Sequence, residues 1–449
     1  MLKISDTSTP VLVLRAESHG GLNILRSLGR LGVPIYILDG NPWAPSFASR
    51  YCRRHFLWDI ESKPAEESLA YLIEISRIIG RPAILIPTTD YASMFVAEYG
   101  PTLKYWYLFP EQQSELVFVL CSKKGMYGLA RQHGIPTPGA SFPTSRDDVL
   151  RFLRSARFPV MLKGIDGQRL WNRTRKKMVI THTPAELLEK YDAFEDPENP
   201  NLMLQEYIPG GEDSVWMFNG YFDEASNCLV GFTGKKIRQC PVHVGCTSLG
   251  VCLPNSQVES VTKTFMKAID YRGILDIGYR YDARDHQYKV LDVNPRIGAT
   301  FRLFVDENGM DVARALYLHL TGQPVSVSRP VYGRKWIVED LDFVSSLRYH
   351  REGQLTLVQW LRSLRGIDEA AFFASDDLLP LVPMCLRRAG ELFRRIGQKL
   401  AIVAPTTPRP FPSGSEPVGA ARLEESCLCS AGVPQVHLEN KQTQLSRHI

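Results

Sequence analysis

The chain has 449 residues, 44% of them hydrophobic and 22% charged, with a formal net charge of +5. These are the proportions of a water-soluble globular protein, and the length calls for roughly two to four domains. The small net charge and the lack of a dense Lys/Arg tract argue against a nucleic-acid partner, and no run of about 18 apolar residues predicts a membrane span. The N-terminal "MLKISDTSTP" lacks the apolar stretch of a secretory signal, and the nine scattered cysteines cannot all pair within one chain. Free thiols and a cytoplasmic location are expected. Cys427 and Cys429 have no second ligand pair nearby, so no zinc site is expected there.

Between Pro10 and Asp39, "VLVLRA" and "VPIYILD" read as strands around the helical "GGLNILRSLGRLG". Leu22, Leu25, Leu28 and Leu31 fall near one helix face, which predicts a right-handed parallel βαβ unit. Gly20-Gly21 sits at the strand-to-helix turn where dinucleotide folds hold phosphate, but the full G-x-G-x-x-G fingerprint is absent. "AILIPTTD" is a further strand ending in polar residues. A new unit starts near Ser122, where "SKKGMYGLARQHGIPTP" predicts a helix stopped by Gly134. Lys123 and Lys124 lie at its start, where the helix dipole favours anions, so they complement a bound anion or form a solvated face.

"FPVMLKG" is a buried strand that ends on Lys163, either a ligand-binding amine or a solvated strand end. "NLMLQEYIPGGED" is a strand leaving through a Pro-Gly-Gly turn, and "SVTKTFMKAIDYRG" is a helix ending at Gly273. "GILDIGYRYDARDHQYKVLDVN" predicts two strands joined at Asp282–Gln287, and "MDVARALYLHLTGQP" a closing helix. Residues 324–403 read as mainly helical, and the Pro- and polar-rich residues 404–449 as a disordered tail.

Period two puts Asp276, Gly278 and Arg280 on one strand face. On the next strand Leu291 and Val293 point into a core, and Asp292 and Asn294 point the other way. Pro295 ends the pairing, which leaves Arg296 near both oxygens. This is either a polar outer face with a turn or a site for a hard cation and an anion. Asp and Asn oxygens suit magnesium, and a fixed guanidinium suits phosphate.

In this order and spacing the segments resemble the ATP-grasp superfamily, in its carboxylate–amine ligase-like branch, over roughly residues 10–320. The resemblance implies a multidomain protein of α/β and α+β class. A Rossmann-like pre-ATP-grasp domain (1–121) precedes a two-lobed ATP-grasp domain (122–323), with a lid lobe at about 140–205 and a magnesium-binding lobe at about 206–323. A helical subdomain (324–403) is appended. "SKKGMYGLARQHGIPTP" implies Lys123 as the first ATP lysine, and "FPVMLKG" implies Lys163 as the second. "LQEYIPGGED" is similar to the hinge, where Glu206, Tyr207 and Ile208 line the adenine and Glu212 reaches the ribose. "LDVNPR" resembles the acidic-x-Asn-Pro-Arg signature, with Asp292 and Asn294 on magnesium and Arg296 on phosphate.

Two features depart from that pattern. The first magnesium carboxylate of the family falls on Gly278, and Asp276 is the expected substitute. The flap after Lys163 is "GIDGQRLWNRTRKK", where Arg169, Leu170 and Trp171 are bulky and Arg169, Arg173, Arg175, Lys176 and Lys177 are candidate phosphate clamps.

The implied reaction uses ATP and Mg2+, with Mn2+ as an alternative cation, to turn a carboxylate into an acyl phosphate that an amine attacks. Its partners are small-molecule carboxylates and amines, amino acids among the candidates. Self-association into a homodimer stays open. "GFTGKKIRQCPVHVGCTSLG" is the expected substrate wall, with Lys236, Arg238, Arg280 and Arg302 around the pocket. Each of these is alternatively a solvated charge. His243 is expected to be structural. A degenerate nucleotide-binding or regulatory protein is the second function class, and a dinucleotide-dependent oxidoreductase the third.

Overall fold

The structure is a computed structural model and describes residues 4–176 and 178–390. The tail, Cys427, Cys429 and Lys177 lie outside the described residues. The first sheet is parallel: β1 (Val11–Leu14), β2 (Ile35–Asp39), β3 (Cys52–Leu57), β4 (Ala83–Pro87) and β5 (Tyr107–Leu108), in the order β3-β2-β1-β4-β5. All four residues of β1 are buried, because both faces are covered. Val11 and Val13 pack with the helix His19–Gly29 on one side, and Leu12 and Leu14 with helices Ala65–Ile79 and Asp90–Glu98 on the other. Gly20 and Gly21 meet a packing demand: a Cβ would stand 2.7 Å from the Ala299 Cα and 2.4 Å from the Ala16 Cα, respectively. The helix start is therefore packed against Ala299, on the turn that follows the third sheet's last hairpin strand.

The second sheet is antiparallel: β6 (Ala140–Ser141), β7 (Val160–Gly164), β8 (Met178–Thr181) and β9 (Leu202–Glu206), in the order β6-β9-β7-β8. Val160 and Leu162 on β7 enter a small core with Leu170, Leu187 and Tyr191. Lys163 therefore falls on the opposite strand face. The run after it, expected as a flap, is the helix Gly167–Thr174, whose Leu170 side chain is held in that same core.

The third sheet has seven strands: β10 (Val215–Phe222), β11 (Cys228–Cys240), β12 (Cys246–Cys252), β13 (Gly273–Asp282), β14 (Gln287–Asn294), β15 (Lys335–Ile337) and β16 (Ile367–Ala370). Their order is β14-β13-β10-β11-β12-β15-β16. The expected substrate wall is thus the end of β11, a turn and the start of β12, in mid-sheet. The region from 324 contains the helices Glu339–Arg351 and Leu357–Ser363, but β15 and β16 extend this sheet, and Trp336 on β15 is fully buried. The helix expected to reach Gly273 ends at Ala268; Asp270 at φ 52° and Gly273 at φ 100° then reverse the chain into β13. Cys52, Cys121, Cys228, Cys252 and Cys385 are free thiols, whereas Cys246 is disulfide-bonded, against the expectation that all are free. Among the described residues, no helix is long and apolar enough to cross a membrane.

Candidate active site

The β13–β14 hairpin carries the acidic residues. Asp276 faces Asn294, Ile277 faces Val293 and Gly278 faces Asp292, after which the register slips so that Tyr279 faces Val290. Leu291 is the extra residue of a β-bulge. Strict alternation put Leu291 in the core; the structure instead buries Val290 and Val293, with Leu291 only half-buried. The bulge leaves Asp292 and Asn294 on the face of Asp276 and Gly278.

Here the side chains converge. Asn294 Nδ2 lies 3.1 Å from Asp292 Oδ2 and 3.5 Å from Asp276 Oδ2. Its carbonyl oxygen accepts from Arg296 Nη2 at 3.2 Å. The amide thus points its nitrogen between two carboxylates and its oxygen at a cation. The Asp276 carboxyl is pushed up to about 6, by burial first and by the charge of Asp292 second. Across β10 the fully buried Asn219 is the register partner of Asp276. Its amide stands close enough to the Asp276 carboxyl to favour the charged form, yet completes no well-formed hydrogen bond among the described residues. Two like charges brought together beside a buried amide fit a divalent cation, which would lower the Asp276 pKa and be ligated by the oxygens. To ligate, Asn294 must turn its oxygen away from Arg296. Among the described residues, no cluster of three or more His, Cys, Asp or Glu could hold a metal, so the donor set here is two carboxylates with amides. A Cβ on Gly278 would sit 2.3 Å from Asp292 Oδ1, so the Asp292 carboxylate fills the space of the missing side chain.

Two lysines from different elements feel the charge of the same carboxylate, Asp292. Lys123 is the first residue of the helix Lys123–Gln132, whose Ser122 cap accepts from Gly125 N. Its Nζ donates to the Gly164 and Ile165 carbonyls, each at 3.1 Å. Burial lowers its pKa, partly offset by Asp166, Asp292 and Asp90. Lys163 is lowered to about 7, by burial and then by the Lys123 charge, with Asp292 acting the other way. Arg296 Nε donates to Asp90 Oδ1 at 2.6 Å. Burial opposes its charge, but Asp90 and Asp276 outweigh that and raise its pKa.

At the hinge, Glu206 accepts from Arg284 Nη2 at 2.7 Å and from Gly139 N at 3.1 Å. The Glu206 and Tyr207 amides donate to the Gly139 and Pro159 carbonyls, so the buried Ile208 has the one amide of this trio that these bonds do not use. Glu212, expected at a ribose, instead accepts from Tyr349 Oη and lies 2.9 Å from His243 Nδ1, with Gln239 also bound. His243 bridges Glu212 to Glu352, a structural place.

The expected substrate arginines divide. Lys236 donates to the Gly245 carbonyl at 3.1 Å and lies close enough to Asp276 to favour its charge. Arg280 Nη2 donates to the hinge carbonyl of Gly210 at 2.5 Å. Arg238 is buried, with Nε and Nη2 each 2.8 Å from an Asp342 oxygen and Nη1 on Ser363. Arg302 is buried between Asp311 and Glu369. Arg238, on β11, and Arg302, on the turn Phe301–Leu303, thus tie the chain before 324 to the segment after it. Of the expected phosphate clamps, Arg169 and Arg173 pair with Asp196, and Lys176 lies over the Phe194 ring. Asp90 and Asn219 were missed from sequence; a lone Asn inside the apolar "VWMFNGYF" was the available signal.

No protein-family model matches the chain. D-aspartate ligase of Enterococcus faecium is 25% identical over 240 residues, 51% of this chain and 57% of that protein, so the match spans little more than half of the relative. N5-carboxyaminoimidazole synthetase from Staphylococcus aureus, complexed with ADP, matches at a TM-score of 0.56 and 12% identity, over 74% of this chain and 82% of that one. The biotin carboxylase domain dimer of Hydrogenobacter thermophilus 2-oxoglutarate carboxylase, with MgADP and bicarbonate, matches at 0.52 and 15% identity, over 71% of each chain. The chain has the ATP-grasp fold. The relatives and neighbours are ligase-type ATP-grasp proteins.

Proposed function

We propose that the chain is an ATP- and Mg2+-dependent ligase that activates a carboxylate as an acyl phosphate for attack by an amine. The observation that carries this reading is that Lys123 Nζ donates to the Gly164 carbonyl beside Lys163, with Asp292 near enough to both lysines to favour their charge. In this reading Lys123 and Lys163 neutralise the phosphates, and Arg296 aligns the γ-phosphate. Asp276, Asp292 and Asn294 hold magnesium, which, when bound, neutralises charge on the transferring phosphoryl group. Residues 206–208 face the adenine, with the Ile208 amide as main-chain donor. A substrate carboxylate oxygen bonds to the γ-phosphorus as ADP leaves. The amine nitrogen then bonds to the acyl carbon, phosphate leaves, and the amine loses a proton. Lys236 is the cation placed to meet an acidic substrate. The resemblance to D-aspartate ligase favours amino acids as substrates, in a cytoplasmic setting, and the dimeric neighbour keeps a homodimer in view.

The test is phosphate release over a panel of amino acids and carboxylates with Mg-ATP. Substrate-stimulated release is expected, and Lys163→Ala and Asp292→Ala should each lose at least about 100-fold while remaining folded. A second reading, a nucleotide-binding regulator without turnover, is favoured by Gly278 and by the bulky helix at 167–174. Tight Mg-ATP binding with no stimulated release by any substrate would select it.

A further inference from the structure

A cavity of about 290 Å³ lies between the N-terminal sheet and the strand ends of the third sheet. Ile86, Val96, Phe109, Val117, Ile274 and Ile297 form its apolar walls. Lys123, Lys163, Glu206, Asp276, Asp292 and Asn294 do not line it, and Arg296 is the one proposed cleft residue that does. The cavity therefore adjoins the proposed nucleotide cleft at Arg296 and shares none of these other residues with it.

Two of its lining groups lack acceptors. Gln112 Nε2 and Arg272 Nε are buried, and neither has a hydrogen-bond partner among the described residues. Gln112 Oε1 already accepts from Gln113 N at 3.1 Å, which fixes the amide with its nitrogen as the unused end. Buried donors without acceptors cost free energy, and an apolar pocket with a few convergent polar groups is the usual form of a small-molecule site. Both unused groups are donors, and one belongs to a guanidinium, whose fork matches a carboxylate.

We propose that this cavity binds a small molecule with an apolar body and a carboxylate, the carboxylate held by Arg272 and Gln112. The site also reports to the cleft. Ser93 Oγ donates to the Pro295 carbonyl at 2.7 Å, and both residues line the cavity beside Arg296. An occupant therefore touches the turn that orients Asn294. The proposal does not depend on ligase turnover, because its readout is binding alone.

The experiment is calorimetry on the full chain with phenylacetate and hexanoate as probes and phenylacetamide as the neutral control. Saturable binding of a carboxylate probe is expected, about tenfold weaker for the amide and about tenfold weaker in Arg272→Gln. Ala97→Trp, which fills the cavity, should abolish binding, whereas Lys163→Ala and saturating Mg-ATP should not displace the probe. The absence of saturable binding by either probe overturns the proposal. So does binding unchanged in Arg272→Gln, or binding lost in Lys163→Ala, which would put the probe in the nucleotide cleft. Arg272→Gln, at a half-buried position, keeps the test valid if Ala97→Trp does not fold.

Discussion

Arg296 Nε donates to the Asp90 carboxylate at 2.6 Å, and this contact fixes the turn after Asp292 and Asn294 to the helix that follows β4. The same guanidinium donates to Asn294 Oδ1 at 3.2 Å. Asp90 thus positions the Arg296 side chain, the proposed phosphate ligand. Asp90→Ala is expected to weaken Mg-ATP binding by about tenfold, as loss of an outer-shell partner usually does, with little change in melting temperature. Calorimetric titration checks this. An unchanged affinity would mean that Arg296 is held by its own strand alone.

Lys163 should make nucleotide binding depend on pH. Its pKa is lowered to about 7 by burial and by Lys123, so the free protein loses this proton as pH rises through that value. Phosphates favour the ammonium form, so binding above pH 7 must restore the proton. Affinity is then expected to fall with rising pH, by at most about tenfold per unit, and to level off below that pKa. Titrations in buffers of different ionisation heat should show proton uptake in the wild type and none in Lys163→Ala.

Gly278 and Asp276 act on the proposed cation site from one strand face. A Cβ at 278 would stand 2.3 Å from Asp292 Oδ1, so Gly278→Ala has to turn the Asp292 carboxylate aside. Asp276→Ala removes a carboxyl that Asp292 and burial hold at about 6. Both variants are expected to raise the magnesium concentration needed for turnover, about tenfold or more. The two separate on stability: Asp276→Ala relieves a buried like-charge pair and should not destabilise the apoprotein. An unaltered magnesium titration in Asp276→Ala would assign the ligand place to another group.

The Arg238–Asp342 pair is a structural tie, not a substrate contact. Both residues are buried and joined by two bonds of 2.8 Å. Asp342→Ala leaves a buried guanidinium without its partner and is expected to cost about 3–5 kcal/mol of stability. Replacing both residues by apolar ones of similar volume should recover most of that loss. Chemical denaturation of the single and double variants measures it. A loss of turnover without a loss of stability in Asp342→Ala would return Arg238 to the substrate site.

Local patterns were legible from the sequence. "VLVL", "YILD" and "AILIP" are short apolar runs bounded by turn residues, and they form the parallel strands because helices cover both faces. Period, strand ends and a helix start place Asp276, Asp292, Asn294, Lys123 and Lys163 on their elements, because these signals depend on near neighbours in the chain. The bulge at Leu291 was not legible, because it is a register slip against Tyr279 on another strand. Strict alternation put the wrong leucine inward while still placing Asp292 and Asn294 correctly, since both lie beyond the slip.

What the sequence alone determined is which side chains stand on which face of each element. Periodicity and turn chemistry act over a few residues and need no partner. Tertiary structure decided which charges remained available. Arg238, Arg302 and Glu212 look like binding residues in one dimension, yet each meets an opposite charge or a donor from beyond residue 340. A buried ion takes the nearest counter-charge because isolation in a low dielectric is costly, and that neighbour is set by folding, not by sequence distance.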